Sequence, residues 1–401
     1  MKQGFIKTAA GSVGITVADT SSNAGRITER ISEADRSGVN LLVLPELCLT
    51  GYTCGDLFLS DALLDSVEPS LEKICADTAG AYPVTVLGLP FRYLGKLFNC
   101  AAVIHGGRIL GLVPKTYIPG YGEFYEARQF SSGKLLGDDV RTVKLCGQDV
   151  PFGNGIVFRH EALRDYSFGI EICEDLWVPC PPCERLTASG ANIICNPSAS
   201  DEVIGKEGYR RLLVSSTSAR LACGYVYSNA APSESTQDMV FSNHHIIAEN
   251  GTLLAENRPF EENGLIVSEI DVARLTHERH RITTYDVVPG GYEVIFPQEI
   301  RETGLTRHFD RNPFVPPHDA QINERAGAIL RIQSYGLKKR LEHARAKTAV
   351  IGISGGLDST LALLVAVRAM DILGRDRHDI KAVTMPCFGT TKRTKSNAVR
   401  L

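Results

Sequence analysis

Short apolar runs alternate with amphipathic stretches over residues 5–270 of the chain. The apolar runs predict strands at 13–19, 40–45, 83–90, 101–107, 166–172, 191–198, 225–230 and 244–251. Apolar residues recur at helical spacing over 24–37, 60–79 and 208–222, which predicts helices between those strands. Because hairpins and crossovers both connect these strands, the pattern indicates α/β layers with a mixed sheet or sandwich.

The periodicity stops after residue 275 and returns near residue 322. Residues 276–321 contain several prolines and glycines, and they predict a linker or an extended packing arm. Beyond them the pattern predicts a helix at 322–345, a strand at 348–353, a helix at 358–372 and a strand near 380–385. The sequence thus predicts a first domain over 1–275 and the beginning of a βαβ domain over 322–401.

The second predicted domain is short for its class. Residues 322–401 are too few to complete a nucleotide-binding α/β domain, which usually needs ~150 residues. The last residues, KSNAVRL, resemble the first turns of another helix. We therefore expect this domain to be truncated.

The composition excludes several classes of partner. The formal net charge of the 401 residues is -3, which argues against nucleic-acid binding and against a polybasic membrane patch. The longest apolar runs, such as 361–367, are far shorter than the ~20 residues of a membrane-spanning helix. Eleven cysteines without the rhythm of a disulfide scaffold indicate a reducing compartment, and hence the cytoplasm.

Cys180 and Cys183 have the spacing of zinc ligands or a redox pair. No second cysteine pair at matching spacing and no neighbouring histidine completes such a site. The sequence favours two reduced loop cysteines, with metal or redox chemistry as the alternative, and we predict no metal ligands here.

A Ser/Gly loop lies between a short apolar strand and a helix in the run IGISGGLDSTLALLVAV at 351–367. Gly355 and Gly356 allow consecutive backbone N–H groups to face an anion, and the following helix adds the positive end of its dipole. Asp358 and the hydroxyls of Ser354 and Ser359 could hold a metal ion or phosphate oxygens. No Gly-Lys-Ser/Thr follows the glycines, so this is not a Walker A loop. The alternative is an ordinary tight turn.

The loop resembles the SGGxDS pyrophosphatase loop of enzymes that split ATP between its α and β phosphates to adenylate a substrate. The resemblance implies that ATP contacts Gly352, Ile353, Ser354, Gly355, Gly356, Leu357, Asp358 and Ser359. Residues 384–391 resemble a second nucleotide-facing segment.

Three reactive side chains each follow a predicted strand of the first domain. Glu46 follows the strand at 39–44, Lys115 that at 109–113, and Cys173 that at 166–172. A thiolate can attack an amide carbonyl, a carboxylate can take the thiol proton, and an ammonium can stabilise the tetrahedral anion. If the three strand ends converge, the set could cleave a primary amide to a thioester and ammonia. Taken singly, each residue is more often a loop or core residue.

The flanks of these residues, LPELxLTGY, VPKxYxPxYxEFYExRxF and GxEICEDLW, resemble the three catalytic motifs of the nitrilase superfamily. Those carbon-nitrogen hydrolases have a Glu-Lys-Cys triad in an αββα sandwich. EICEDLWVP, NPSAS at 196–200 and ESTQDMVFSNHHIIAENG at 234–251 resemble more closely the glutaminase domain of glutamine-dependent NAD synthetases. The resemblance extends over essentially the whole chain.

The resemblance implies a glutamine pocket formed by Tyr121, Glu174, Ser200 and Lys206, with Tyr52 as a less certain neighbour. Free glutamine carries an α-ammonium and an α-carboxylate, so its pocket needs an acceptor such as Glu174 and donors such as Ser200. Some relatives use arginine at the position of Lys206, and Arg210 is the substitute candidate. The alternative for Ser200 and Lys206 is an ordinary polar loop.

The resemblance further implies a ligase that uses glutamine as nitrogen donor. Ammonia from glutamine would convert deamido-NAD to NAD through an adenylated intermediate, with ATP and Mg²⁺ in a Rossmann-like ATP-pyrophosphatase domain. L-glutamine, ATP and deamido-NAD would be its small-molecule partners, and the enzyme would be a homo-oligomer. We expect the truncated chain to perform mainly the glutaminase step.

Three other functions stay open on the sequence alone. The chain could be a free-standing amidase, but the SGGLDS loop disfavours this. It could be an ATP-pyrophosphatase amidotransferase with another product, although such enzymes carry unrelated glutaminase domains. It could be a scaffold without catalysis, against which the three reactive side chains argue.

Overall fold

The computed structural model describes residues 1, 3–236, 238–261, 264–315, 319–385, 388 and 391–401, with backbone only at 319, 320 and 394. These residues form two compact units, Met1–Arg307 and His308–Leu401. Among the described helices, none has the length and apolar character needed to span a membrane.

The first unit contains two large sheets and helices on their outer faces. Its strands are β1 Phe5–Ala10, β2 Leu41–Val43, β3 Val84–Tyr93, β4 Lys96–His105, β5 Arg108–Pro114, β6 Arg141–Leu145, β7 Gln148–Phe152, β8 Ile156–His160, β9 Ser167–Ile170, β10 Ile193–Pro197, β11 Gly224–Ser228, β12 Ile246–Glu249, β13 Thr252–Glu256, β14 Ile266–Asp271 and β15 Tyr292–Phe296. Its α-helices are α1 Thr20–Arg36, α2 Asp61–Asp77, α3 Glu126–Gln129, α4 Pro182–Ala188, α5 Lys206–Arg220 and α6 Val272–Arg281. Short 3₁₀ helices cover Tyr52–Leu59, Gly133–Leu136 and Cys173–Leu176.

The two sheets pack face to face. One has eight strands in the order β14-β1-β2-β3-β4-β5-β7-β6, and the other has seven in the order β13-β12-β11-β10-β9-β8-β15. A buried cluster with members such as Val86 and Phe168 lies between them. Ile27 of α1 and Leu71 of α2 pack on the outside of the first sheet, and Val214 of α5 packs on the outside of the second. The predicted αββα sandwich is confirmed.

The prediction of a strand at 13–19 is wrong, and the first strand is β1 instead. Val13 and Ile15 are buried, as in a strand. The backbone N–H groups of Ile15 and Thr16, however, donate to side chains and not to a neighbouring strand. The N–H of Ile15 donates to Ser233 Oγ at 2.9 Å, and that of Thr16 donates to Asn23 Oδ1 at 2.7 Å. Apolar residues alternate here because one side of a loop packs against the core, and this alternation resembles that of a strand.

The predicted linker contributes structure to the first unit. β15 pairs in parallel with β8 and extends the seven-stranded sheet. Phe296 at its end is fully buried and meets the ring of Tyr166 edge-on, with centroids 5.4 Å apart. A five-residue strand among prolines and glycines carries too little periodicity for sequence analysis to detect. The domain limits at 275 and 321 stay predictions.

The second unit is an α/β arrangement around a parallel strand pair. Its elements are α7 Asp319–His343, β16 Ala349–Gly352, α8 Leu357–Ile372, a 3₁₀ turn Arg377–Asp379, β17 Ile380–Val383 and α9 Lys392–Arg400. β16 pairs in parallel with β17, with Ala349 opposite Ile380. The predicted strand-loop-helix-strand order is confirmed.

Candidate active site

Glu46 lies in a tight turn just after β2 and is almost completely buried. Gly88 of β3 allows this turn to approach, since a Cβ on Gly88 would lie 2.1 Å from the backbone nitrogen of Leu47. The N–H of Ala199 donates to Glu46 Oε2 at 2.8 Å, and Asn99 Nδ2 donates to Oε1 at 2.6 Å. Both carboxylate oxygens of Glu46 therefore have fixed partners.

Lys115 follows β5, and its side chain is fully buried. Its Nζ lies 2.6 Å from Glu46 Oε1 and 2.6 Å from Glu126 Oε1. The backbone N–H of Lys115 donates to the carbonyl of Asn99 at 2.7 Å. Asn99 thus holds both the backbone of Lys115 and the carboxylate of Glu46.

Cys173 follows β9, and its φ is 42°, a left-handed conformation that costs a non-glycine residue about 1–3 kcal/mol. A chain of buried hydrogen bonds holds this elbow. The N–H of Cys173 donates to Asn196 Oδ1 at 3.1 Å, and Asn196 Nδ2 contacts the hydroxyl of Tyr225 at 2.9 Å. The Tyr225 hydroxyl in turn donates to Glu171 Oε1 at 2.5 Å. Strain of this kind, supported by buried partners, is typical of nucleophile turns.

The charges around Lys115 determine the resting protonation of the site. Burial by itself would lower the pKa of Lys115, but Glu126 and Glu46 outweigh burial and raise this pKa well above its usual value. Burial and then Glu46 raise the pKa of the Cys173 thiol, and Lys115 opposes them. The ammonium is therefore charged and the thiol carries its proton at neutral pH, so attack by sulfur needs a base.

Glu126 is a member of this cluster that sequence reasoning missed. It begins α3, it is 5% exposed, and the Tyr52 hydroxyl donates to its Oε1 at 2.8 Å. Burial raises the pKa of Glu126, Lys115 lowers it, and Glu46 raises it again, with a net upward shift. The run VPKxYxPxYxEFYExRxF contains Glu126, but it also contains Glu123, and the sequence does not show which of the two is buried. In the structure Glu123 is only half-buried.

The predicted pocket residues make separate sets of contacts. The Tyr121 hydroxyl donates to Glu174 Oε1 at 2.9 Å. Burial raises the pKa of the Glu174 carboxyl, and the hydrogen bond from Tyr121 partly offsets this. Lys206 Nζ pairs with Asp201 and lies 5.5 Å from the ring centroid of Trp177. The predicted pocket residues thus include a carboxylate and an ammonium, and each has a partner within the protein.

Ser200 is buried, and its N–H donates to Asn229 Oδ1 at 2.8 Å. Arg210 lies behind it and is fully buried, with Nη2 3.4 Å from Ser200 Oγ and Nη1 3.0 Å from Glu202 Oε2. Arg210 therefore contacts Ser200 and Glu202, and Tyr52 contacts Glu126.

Within the described residues, one cluster has metal-ligand geometry, namely Glu207, His244 and Glu256. Arg211 pairs with both carboxylates, at 2.5 Å from Glu207 and 2.8 Å from Glu256. Arg210 Nη1 lies 2.8 Å from His244 Nδ1, which leaves the imidazole proton on Nε2, 2.8 Å from Glu256 Oε1. The guanidinium of Arg211 therefore already balances the negative charge of these two carboxylates.

The two cysteines with metal-ligand spacing are both free thiols. Cys180 is exposed, whereas Cys183 is buried in α4. The N–H of Cys183 donates to Glu171 Oε2 at 2.9 Å.

In the second unit, the Ser/Gly loop connects β16 to the N-terminus of α8, as predicted. Gly355 has φ 80°, and Ser354 Oγ lies 3.2 Å from Ser359 Oγ. The N–H of Ile353 donates to the carbonyl of Val383 at 2.8 Å, which anchors the loop to β17. Contact of this loop with ATP stays a prediction. In the predicted segment 384–391, residues 386, 387, 389 and 390 lie outside the described residues.

Comparison with protein families matches residues 7–279 to the carbon-nitrogen hydrolase model. The chain belongs to the carbon-nitrogen hydrolase family. Residues 329–401 match the NAD synthase model. The carbon-nitrogen hydrolase match covers the strands of the sandwich except for β15 and the start of β1, and it contains Glu46, Lys115, Glu126 and Cys173.

Curated relatives of this carbon-nitrogen hydrolase include glutamine-dependent NAD(+) synthetases. That of Mycobacterium tuberculosis H37Rv is 39% identical over 412 aligned residues, which cover 100% of this chain and 60% of the relative. That of Aquifex aeolicus is 29% identical, with 96% of this chain and 62% of the relative covered. The chain thus spans about 60% of the length of these relatives. The predicted resemblance to this group is confirmed.

Two solved structures show the same fold. A glutamine-dependent NAD(+) synthetase from Cytophaga hutchinsonii has a TM-score of 0.59 at 23% identity, with 98% of this chain and 62% of that chain covered. An amidase from Nesterenkonia has a TM-score of 0.52 at 18% identity, with 70% of this chain and 97% of that chain covered.

Proposed function

We propose that the chain acts in glutamine-dependent synthesis of NAD(+), with glutamine hydrolysis in the first unit and ATP binding in the second. The observation that supports this most directly is Lys115 Nζ, 2.6 Å from Glu46 and 2.6 Å from Glu126. Beside it lies Cys173 on a strained elbow. Burial and Glu46 raise the pKa of its thiol, and Lys115 lowers it. A nucleophile, a base and a fixed positive charge are the groups that amide cleavage requires.

The first half of the proposed reaction forms a thioester. Glu46 accepts the thiol proton of Cys173 as the sulfur bonds to the side-chain amide carbon of glutamine. Lys115 Nζ and the backbone N–H of Glu174 stabilise the negative charge that develops on the amide oxygen. The carbon-nitrogen bond breaks as the proton moves from Glu46 to the leaving nitrogen, which departs as ammonia.

The second half regenerates the thiol. Glu46 takes a proton from water, and the resulting hydroxide adds to the thioester carbon. The carbon-sulfur bond breaks, the thiolate leaves, and it recovers its proton from Glu46, so that glutamate is released. Glu126 keeps Lys115 charged throughout, because its carboxylate also pairs with the ammonium.

Charge complementarity supports glutamine over a simple amide as substrate. Glu174, with Tyr121 beside it, is the proposed acceptor for the α-ammonium. Lys206 and Ser200 are the proposed donors to the α-carboxylate. An amide without these two charged groups makes neither of the proposed interactions.

The test of the glutaminase step is the release of ammonia and glutamate by the intact chain. We expect saturable hydrolysis of L-glutamine with the two products in equal amounts. We also expect kcat/KM for butyramide to be lower by at least ~100-fold, because butyramide lacks both charged groups that Glu174 and Lys206 are proposed to bind. Absence of ammonia release would refute the glutaminase step, and equal rates with the two amides would support a general amidase instead.

The second unit offers a site for the pyrophosphate of ATP at the start of α8. The N–H groups of the glycine turn and the positive end of the 16-residue helix suit an anion. The carboxylate of Asp358 and the hydroxyls of Ser354 and Ser359 are oxygen donors, which fit Mg²⁺. When bound, Mg²⁺ would neutralise charge on the pyrophosphate. Deamido-NAD, activated as its adenylate, is the proposed acceptor of the ammonia.

Gly355→Val is expected to weaken Mg-ATP binding by at least ~10-fold. A β-branched residue disfavours the φ of 80° at this position, and this φ orients the backbone of the loop. Isothermal titration calorimetry with the intact chain measures this change. Gly374→Val is the matched control, since Gly374 also has positive φ but follows the far end of α8. Glutamine hydrolysis should be unchanged in both variants. Equal ATP affinity in the two variants would rule out the loop as the site.

A further inference from the structure

Asp175 lies two residues after Cys173, and it is 1% exposed. Its Oδ1 accepts the N–H of Tyr117 at 2.8 Å. Its Oδ2 accepts the N–H of Ile172 at 3.0 Å and that of Thr116 at 3.2 Å. One carboxylate therefore holds three backbone N–H groups.

The three N–H groups that donate to Asp175 lie next to two of the reactive residues. Thr116 and Tyr117 directly follow Lys115, whereas Ile172 directly precedes Cys173. β5, which leads to Lys115, belongs to the eight-stranded sheet, and β9, which leads to Cys173, belongs to the seven-stranded sheet. Hydrogen bonds between strands form only within each sheet. They cannot fix the distance between two strand ends that belong to different sheets. The Asp175 carboxylate spans the two sheets at this point.

We propose that Asp175 is a positioning residue that fixes the backbone after Lys115 against the Cys173 elbow. The proposal rests on the proposed glutaminase function for its kinetic consequence. Asp175 has its own partners in the backbone and acts on the reaction through Lys115 and Cys173. A displacement of ~1 Å between reacting groups can lower a rate by ~100-fold, so a bridge at this place matters for turnover.

Asp175→Asn preserves the shape of the side chain but replaces one acceptor oxygen by an N–H₂ group. At least one of the three N–H groups then loses its acceptor. Asp271→Asn is the matched control, because Asp271 Oδ1 accepts the N–H of Arg274 at 2.9 Å in an N-cap of α6. Both variants lose a carboxylate that caps backbone, but only Asp175 joins the two sheets.

Steady-state kinetics provide the first measurement. For Asp175→Asn we expect kcat for glutamine to fall by ~30-fold or more while KM changes by less than ~3-fold, since the glutamine pocket keeps its residues. Asp271→Asn should leave both constants within ~2-fold of wild type. An Asp175→Asn chain that folds and retains its kcat would overturn the positioning role, and so would a rise in KM alone.

Amide hydrogen exchange provides a second measurement that needs no activity. In the wild-type chain, the N–H groups of Thr116, Tyr117 and Ile172 should exchange at least ~100-fold more slowly than unstructured amides, and Asp175→Asn should accelerate exchange at Thr116 or Tyr117. Unprotected amides in the wild type would overturn the bridge even if the variant failed to fold. If the wild-type chain does not hydrolyse glutamine, the proposed function fails, while exchange still decides whether the bridge exists.

Discussion

Cys173→Ala is expected to abolish glutamine hydrolysis, with turnover lower by at least ~1,000-fold and the fold intact. The thiol is the nucleophile of the proposed reaction, and removal of a nucleophile leaves only the contributions of binding and charge stabilisation. Alanine also removes a single buried sulfur atom from a left-handed elbow, so we expect little change in circular dichroism. Ammonia release under saturating glutamine measures the effect.

A diazo-ketone analogue of glutamine tests the same residue by mass. We expect one covalent adduct on the wild-type chain and none on Cys173→Ala. Cys180→Ala is the matched control, because Cys180 is an exposed free thiol outside the cluster, and its loss should change neither turnover nor labelling. Labelling that persists on Cys173→Ala, or turnover close to wild type, would mean that another residue is the nucleophile.

Lys115→Met should lower both turnover and stability. Removal of the ammonium leaves the buried carboxylates of Glu46 and Glu126 without their cation. Loss of one partner of a buried ion pair typically costs about 3–5 kcal/mol, and loss of an oxyanion-stabilising group lowers kcat by ~100-fold or more. Urea unfolding at neutral pH and ammonia release measure the two effects.

The stability loss of Lys115→Met should depend on pH. The pKa of Glu126 is raised above its unfolded value, so the folded state binds more protons than the unfolded state. Without Lys115 this difference grows, and the variant should regain stability relative to wild type as the pH falls from 8 toward the pKa of the unfolded carboxyl, about 4.3.

Lys73→Met is the control for Lys115→Met, because Lys73 pairs with Asp77 on the surface with 57% of its side chain exposed. Exposed pairs contribute at most about 1 kcal/mol. If both lysine variants unfolded at the same urea concentration, the buried cluster would not have the energetic role assigned to it. If Lys115→Met retained wild-type turnover, the ammonium would have no part in the reaction.

Local patterns in the sequence were sufficient to place the reactive residues on the fold. Glu46, Lys115 and Cys173 each follow a strand, because short apolar runs and the turn residues after them are local signals. The glycines of the loop at 354–356 likewise predict a strand-to-helix connection that the second unit contains. Their flanking motifs carried the resemblance to a family that comparison has confirmed.

The contacts among those residues depend on the tertiary structure. Sequence reasoning did not separate the buried Glu126 from Glu123, nor identify Asp175 as a bridge between two sheets, because burial and hydrogen bonding join segments far apart in the chain. The same reason explains the strand wrongly predicted at 13–19, where loop packing imitates the alternation of a sheet. Apolar periodicity and turn residues determined which residues end strands; packing of one sheet on the other decided which side chains meet and which charges are buried together.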